Sequence, residues 1–166
     1  MDLIPSPMNL DDLDRVLDIE RLSFSLPWSR HAFVDELFMN DQAVYMVVRD
    51  SDGVAMGYGG MWLILDEAHI TNVAVHPEYR RRGVGRAIMV ALMETAVLRG
   101  ARRMTLETRL SNVPAQELYR SVGFVAAGVR PRYYLDDHED ALVMWLEDLP
   151  GRLAMMDGEG GAPEDA

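Results

Sequence analysis

An arginine- and glycine-rich turn at residues 80–86 carries the clearest chemical signal in this sequence. It follows an apolar stretch typical of a strand and leads directly into a long helical pattern. The first turn of a helix has unpaired N–H groups and a partial positive charge, and both favour an anion. Gly83 and Gly85 have no side chains, so a pyrophosphate can approach the backbone closely. Further cationic charge comes from Arg81, Arg82 and Arg86.

The spacing of this turn separates it from other anion-binding motifs. A P-loop requires a lysine after its second glycine, and the sequence contains no lysine. A dinucleotide-binding fingerprint requires a third glycine at the position of Ile88. A nucleic-acid patch stays open as an alternative, although the net charge of −11 disfavours it. A solvated run of charge explains the arginines but not the paired glycines at a strand-to-helix junction.

The elements that must position this turn alternate along the chain. Helices are predicted from Asn9, after Ser29, and over residues 83–98 and 112–122. Strands are predicted over residues 43–49, 54–65, 69–76, 104–108, 124–129 and 141–146. A meander of three strands followed by alternating helices and strands predicts an α/β (α+β) fold, with a mixed sheet and helices on both faces.

Composition limits the remaining classes of protein. With 166 residues, 49% hydrophobic and 26% charged, the chain is predicted to form one domain over residues 1–149. Residues 150–166 end in an acidic, Gly-rich segment and are predicted to be a disordered tail. Cysteine and lysine are absent, which excludes a thiol nucleophile, cysteine metal ligands and a lysine Schiff base.

The cellular location follows from what the sequence does not contain. No apolar run approaches the roughly 20 residues of a membrane span. The chain also begins without a basic region followed by an apolar stretch, so no secretory signal is recognised. We therefore expect a cytoplasmic protein without a metal, a membrane or a nucleic acid as partner.

The segment Arg80-Arg81-Arg82-Gly83-Val84-Gly85 resembles the Gln/Arg-x-x-Gly-x-Gly/Ala pyrophosphate motif of GNAT acetyltransferases. Its place between a strand and a long amphipathic helix makes the resemblance specific. Within that superfamily the chain resembles the RimI type over about residues 3–148. The matching segments are residues 25–29, 106–109, 111–112, 118–119, 123–124, 130, 133–134 and 139–141.

The resemblance implies both a fold and a donor. The strand that carries Val73 should splay away from the strand that carries Glu107, within a twisted and mostly antiparallel sheet. Acetyl-CoA is the implied donor, with its pantetheine hydrogen-bonded to backbone groups in the gap. The implied cofactor-binding residues are Val73, Ala74, Val75, Arg81, Arg82, Gly83, Val84, Gly85, Arg86 and Asn112.

Two titratable residues are candidates for the acetyl transfer. An α-amino group has a pKa of about 7.7–8.0, so its ammonium form must lose a proton before it attacks. Glu107 lies on the strand face opposite Met104 and Leu106, matches the family's Leu-Glu-x-Arg motif and is the candidate base. Tyr119, about 10.5 Å along the same helix from Asn112, is the candidate acid for the departing thiolate.

Both roles have structural alternatives. The alternative for Glu107 is a strand-edge ion pair with Arg109, and the alternative for Tyr119 is a core tyrosine with a satisfied hydroxyl. A backbone N–H near Val75 is the implied oxyanion donor. Because there is no cysteine for an acyl-enzyme, direct transfer within a ternary complex is predicted.

The identity of the acceptor is implied by the family resemblance, because no motif in the sequence defines an acceptor site by itself. RimI-type enzymes acetylate the N-terminal alanine of a small-subunit ribosomal protein, which implies a protein N-terminus as partner. An acidic loop at residues 136–140 can attract a basic peptide or simply connect two strands. A different amine, or a noncatalytic coenzyme A-binding module, stays open. The implied acceptor-binding residues are Phe24, Trp28, Arg130, Tyr133 and Tyr134, although Phe24 and Trp28 can equally be core residues that hold the second helix.

Overall fold

Seven strands and five helices make up the part of the chain that the computed structural model describes, residues 2–161. The strands are β1 (Ile4–Pro7), β2 (Ala43–Arg49), β3 (Ala55–Ile64), β4 (Glu67–Val75), β5 (Arg103–Arg109), β6 (Val125–Arg130) and β7 (Ala141–Leu146). The helices are α1 (Leu13–Ser23), α2 (Arg30–Phe38), α3 (Val84–Leu98), α4 (Val113–Ser121) and α5 (Leu149–Gly161). Two 3₁₀ turns, Leu10–Asp12 and Pro77–Tyr79, precede α1 and α3.

All the strands belong to one mixed sheet with the order β1-β2-β3-β4-β5-β7-β6. Neighbouring strands are antiparallel except β4 and β5, which are parallel. The ladder between β4 and β5 contains three residue pairs and ends at His69 opposite Thr105. Beyond this pair β4 continues to Val75 and β5 to Arg109, so the two strands separate and leave a gap. The predicted fold class, with its splayed central strand pair, is confirmed.

Helices cover the two faces of the sheet unequally. On one face α3 packs closely on β3 because two glycines there lack side chains; a Cβ on Gly59 would lie 2.5 Å from Ile88 Cγ2. On the other face α1 and α2 bury a second cluster around Phe33 and Tyr58. That cluster includes residues of β2, β3 and β4 but, within the described chain, none of β5, β6 or β7. The end of this face that carries β5 is therefore open to a site.

The C-terminal segment is a correction to the sequence prediction. Residues 149–161 form α5 rather than the start of a disordered tail, while residues 162–166 of the predicted tail lie outside the described residues. Leu149 is fully buried, and Leu153 and Met156 pack on the same core one and two helical turns later. This apolar stripe gives the segment something to bury, which its glycine content obscured in the sequence.

The N-terminal region also differs from the prediction. Ile4–Pro7 forms an edge strand, which no pattern in the sequence indicated, and prolines are tolerated at such an edge. Asn9 caps a 3₁₀ turn, so the regular helix α1 begins later, at Leu13. Among residues 2–161, no helix has the length and apolar character of a membrane span. No group of three metal-binding side chains occurs in this part of the chain either.

Candidate active site

Main-chain groups of β4 line one side of the gap. The His76 N–H donates to the carbonyl of Met56, near the start of β3, at 2.9 Å. Residues that bond to a partner strand alternate in an antiparallel ladder, so Ala74 also faces β3. Val73 and Val75 therefore direct their N–H and C=O groups away from β3, and the Val75 carbonyl accepts from Arg80 Nε. Ala74 was predicted to bind the donor with them, but its main-chain N–H and C=O groups point toward β3, where Ala74 lies opposite Tyr58.

The N-terminus of α3 lies at the end of β4 and leaves its first amides unpaired. Gly83 precedes the helix with φ +83°, in the left-handed region that glycine adopts without strain. The first helical hydrogen bond joins Ala87 N–H to the Gly83 carbonyl at 3.0 Å, and no side chain caps the helix. The N–H groups of Val84, Gly85 and Arg86 are thus available to an anion, as the sequence predicts.

Arginine side chains surround these amides. Arg80 Nε donates to the Val75 carbonyl at 3.1 Å, which fixes the turn against the end of β4. The Arg82 guanidinium lies 5.7 Å from the centre of the Tyr79 ring. Arg81 has φ +62°, an unusual conformation for a residue with a side chain. All three arginines are exposed, so their charge is available beside the helix N-terminus.

The unpaired amides of residues 84–86 and the arginines at 80–82 together form an anion cradle. Helix α4 closes its other side. Arg86 Nη1 donates to the Ser121 carbonyl at the end of α4, at 3.4 Å. A Cβ on Gly85 would lie 3.0 Å from Leu118 Cδ2, so α3 and α4 meet closely at this glycine. At the start of α4 Asn112 is the N-cap, as predicted, and its Oδ1 accepts from Ala115 N–H at 3.2 Å.

The Glu107 carboxylate lies at the mouth of the gap. Its side chain is 8% exposed, and its Oε2 atom is 2.6 Å from His69 Nε2. The Arg130 Nε atom is 3.5 Å from the other oxygen, Oε1. The alternative partner considered from sequence, Arg109, binds elsewhere. Glu107 is therefore a nearly buried carboxylate held between an imidazole and a guanidinium.

No pattern in the sequence identifies His69 as part of the site. Strand alternation places its side chain on one face of β4, but only the register between β4 and β5 brings that face to Glu107. The parallel strands β4 and β5 are connected through the long helix α3. Their register therefore does not follow from the number of residues between His69 and Glu107.

A cavity of about 250 Å³ lies beside the His69–Glu107 pair, on the open face of the sheet. Its walls combine two indole rings with the polar side chains of the pair and of Arg130. The lining residues are Trp62, Ile64, Glu67, His69, Thr105, Glu107, Arg130, Val143 and Trp145.

Tyr119 lies on α4 with its ring buried. The ring packs edge-on against Phe124 at a centroid distance of 6.1 Å. Burial raises the pKa of the Tyr119 hydroxyl to about 12, so the group stays protonated at neutral pH. Among the described residues no side chain or carbonyl bonds to this hydroxyl, so its proton is not used within the protein.

The residues expected to bind the acceptor fall into separate environments. The Trp28 ring packs at 5.3 Å from the Phe33 ring, and the main-chain N–H of Trp28 donates to the buried carboxylate of Glu20 at 2.7 Å. Glu20 also accepts from the Tyr58 hydroxyl, so this interior carboxylate anchors the loop between α1 and α2. Phe24, at the C-terminal end of α1, is 40% exposed. Trp28 thus supports the loop, while Phe24 faces solvent.

Tyr133 and Tyr134 stand edge to face in the connection between β6 and β7, with centroids 5.1 Å apart. The Arg109 guanidinium lies 4.0 Å from the centre of the Tyr134 ring. Burial raises the pKa of Tyr133, and the negative charge of Glu107 adds to that effect. The Tyr133 hydroxyl is therefore near enough to the Glu107 carboxylate to feel its charge.

The acidic loop between β6 and β7 is tied to the rest of the site by Arg109. The guanidinium is within 2.8–3.3 Å of carboxylate oxygens of Asp136, Asp137 and Glu139. The Ser25 hydroxyl also donates to Asp136, joining this loop to the one between α1 and α2. The hydrogen bonds from Ser25 and from Arg109 hold the pKa of Asp136 well below its usual range. Much of the loop's negative charge is thus paired within the protein.

Comparison with known proteins agrees with this geometry. Residues 13–124 match the model of the acetyltransferase (GNAT) family. The putative [ribosomal protein bS18]-alanine N-acetyltransferase of Bacillus subtilis (strain 168) is 44% identical over 139 residues, covering 84% of this chain and 91% of the relative. The [ribosomal protein bS18]-alanine N-acetyltransferase of Escherichia coli (strain K12) is 35% identical over 146 residues, covering 85% and 95%.

Solved structures share the same fold. The crystal structure of the ribosomal-protein-S18-alanine N-acetyltransferase from Escherichia coli superposes with a TM-score of 0.77 at 32% identity, over 87% of this chain and 93% of that one. Ard1 from Thermoplasma volcanium gives a TM-score of 0.79 at 26% identity, over 88% and 97%. The family match, the relatives and the fold together show that this chain belongs to the acetyltransferase (GNAT) family.

Proposed function

We propose that this chain is an N-terminal protein acetyltransferase that moves acetyl from acetyl-CoA to the N-terminal alanine of ribosomal protein bS18. The observation that carries the proposal is the gap between β4 and β5, where free main-chain groups of β4 face a sheltered carboxylate on β5. The relatives named as bS18-alanine N-acetyltransferases support this choice of acceptor. Such a substrate assigns the reaction to the cytoplasm.

The donor fits the residues that are present. The diphosphate of acetyl-CoA matches three unpaired amides at the start of α3, with arginines beside them. Val73 and Val75 offer main-chain groups to the pantetheine arm, as an added strand would use them. Bound there, acetyl-CoA supplies a thioester carbonyl for attack by the amine.

Glu107 and the end of β4 act on the attacking side. The Glu107 carboxylate removes a proton from the acceptor ammonium, whose pKa of about 7.7–8.0 leaves most of it charged at neutral pH. The freed amine then attacks the carbonyl carbon. The Val75 N–H faces the gap, where it can stabilise the negative charge that develops on the carbonyl oxygen.

Tyr119 acts on the departing side. The Tyr119 hydroxyl donates its proton to the departing sulfur, and the second proton that the attacking nitrogen must lose restores the phenol. Since burial keeps this hydroxyl protonated, it is in the donor form throughout the physiological pH range. No cysteine is available for an acyl-enzyme, so transfer is direct within a ternary complex.

The acceptor is tested with three peptides. The first carries the N-terminal sequence of bS18 and begins with alanine, the second is the same peptide formylated at its N-terminus, and the third is formylated and contains an added lysine. We expect acetyl-CoA-dependent acetylation, detected by mass spectrometry, of the first peptide alone. Turnover that survives formylation, or that appears only with the lysine peptide, would show that the acceptor is a different amine.

A further inference from the structure

His69 occupies a distinctive place in the sheet, because it is the last residue of β4 paired with β5. Its partner in register is Thr105, and Glu107 lies two residues further along β5 on the same face. The bond of 2.6 Å between His69 Nε2 and Glu107 Oε2 therefore crosses the gap just where the backbone ladder stops.

We infer that His69 is the positioning residue for the Glu107 base. A carboxylate only accepts hydrogen bonds, so the neutral imidazole must carry its proton on Nε2 and donate it to Oε2. This bond fixes the carboxylate plane and leaves Oε1 to take the proton of the acceptor ammonium. The inference rests on the proposed function, since it assigns a role in the same proton transfer.

The surroundings of the pair favour this role over a purely structural one. Strand pairing does not depend on the side-chain bond, since three backbone pairs already set the register. Glu107 is 8% exposed and has, among the described residues, a single other cationic neighbour, Arg130 at 3.5 Å. Without His69 the carboxylate would keep only that longer contact, and its orientation toward the gap would be lost.

The same contact makes the base sensitive to pH. The His69 side chain is 36% exposed beside the cavity, so its second nitrogen can exchange protons with water. An imidazolium there would place a positive charge against the carboxylate, and this charge opposes the uptake of a proton from the acceptor. The charged and titratable groups around the ring are Glu67 on β4, Glu107 on β5, Arg130 on β6 and Tyr133 in the following connection.

Two substitutions separate orientation from titration. His69→Gln keeps an amide donor near the Nε2 position but cannot titrate, whereas His69→Ala removes the donor. The matched control is His31→Ala, which breaks an exposed histidine–carboxylate pair on α2, with Nε2 3.3 Å from Asp35 Oδ2. Each enzyme is assayed on the alanine-starting peptide between pH 5.5 and 9.

We expect His69→Ala to lower kcat about tenfold or more, as loss of part of a general-base contribution does, with KM for acetyl-CoA unchanged. His69→Gln should keep kcat within about threefold at pH 8, and its activity should persist to lower pH than that of the wild type. His31→Ala should behave like the wild type. A wild-type kcat and pH profile in His69→Ala would overturn the inference while leaving the proposed function intact.

A second measurement does not depend on turnover. The imidazole ¹⁵N shifts of His69 at pH 8 should report the Nε2–H tautomer in wild-type protein, and Glu107→Gln should change them. An Nδ1–H tautomer would overturn the inference by itself. Lack of peptide acetylation by folded wild-type enzyme would instead count against the proposed function, so the two failures are distinguishable.

Discussion

Glu107 and Arg109 lie two residues apart on one face of β5, yet their side chains bind at opposite ends of the site. Glu107 turns toward His69 on β4, and Arg109 turns toward the acidic loop that follows β6. The carboxylate is therefore not paired with its nearest arginine in sequence. One strand thus carries both the candidate base and the cation that organises the acidic loop.

Replacing Arg109 should weaken acceptor binding selectively. In Arg109→Leu three carboxylates of the loop lose their shared cation and repel one another, and Tyr134 loses the guanidinium over its ring. We expect KM for the alanine-starting peptide to rise about tenfold, the equivalent of one interaction of ordinary strength. The dissociation constant for acetyl-CoA, measured by calorimetry, should not change.

Arg21→Leu provides the control for this substitution. It removes an exposed arginine paired with Asp18 on α1, where surface ion pairs contribute little. Faster hydrogen exchange in the loop of Arg109→Leu alone would agree with the interpretation. Equal peptide KM values in both variants would show that the loop does not shape the acceptor site.

Tyr119→Phe should separate chemistry from binding. The substitution keeps the ring that packs on Phe124 and removes only the proposed proton donor. We expect kcat to fall by about 10²-fold, the lower end of general acid contributions, with the acetyl-CoA dissociation constant unchanged. Tyr79→Phe, at the half-buried tyrosine beside Arg82, is the matched control. An undiminished kcat in Tyr119→Phe would exclude the acid role.

Local signals account for the elements that sequence analysis predicted well. The strands at residues 43–49 and 141–146 were predicted with the bounds that the structure has. Ser29 and Asn112 cap their helices through the predicted side-chain contacts, because an N-cap bond spans only three residues. The elements of the anion cradle are also neighbours in sequence, because a strand, a glycine-containing turn and a helix follow one another directly.

The features that sequence analysis missed depend on contacts between distant segments. β1 forms because β2 offers an edge, and α5 forms because its apolar stripe finds a core that other elements build. His69 joins Glu107 only through the register of two strands separated by a whole helix. The resemblance to a family supplied the gap in the sheet, which neither composition nor periodicity could reveal.

The arginines of the cradle should contribute to donor binding through charge. Replacing Arg81 and Arg82 together with glutamine leaves the unpaired amides of α3 in place but removes two exposed cations beside them. We expect acetyl-CoA to bind at least about tenfold more weakly, since hydrogen bonds to charged groups contribute roughly 1.5–3 kcal/mol each. The dependence of binding on salt should also become shallower.

Arg99→Gln tests whether this effect is local. Arg99 is an exposed arginine at the opposite, C-terminal end of the same helix, so its loss changes the net charge but not the cradle. Calorimetry should give it the wild-type acetyl-CoA affinity. Equal weakening by substitutions at either end of α3 would mean that overall charge, rather than a phosphate site, governs binding.

Alkaline unfolding should reveal the buried tyrosines. The pKa values of Tyr45, Tyr58 and Tyr119 are raised chiefly by burial, and the chain has no lysine to titrate in the same range. Above pH 10 the unfolded chain loses phenolic protons that the native protein retains, so stability falls as pH rises. For Tyr119 this window extends from 10.0 to about 12. Each pH unit within it costs about 1.4 kcal/mol per tyrosine.

Tyr119→Phe isolates one of these contributions. Urea unfolding at pH 9 and pH 11 gives the loss of stability for each protein, and the loss should be smaller in the variant by about 1.4 kcal/mol. Tyr45 and Tyr58 remain in the variant, so part of the alkaline loss should persist. If both proteins lost the same stability between the two pH values, the Tyr119 hydroxyl would titrate natively as it does in the unfolded chain. It would then reach solvent and no longer be the sheltered proton donor that the reaction requires.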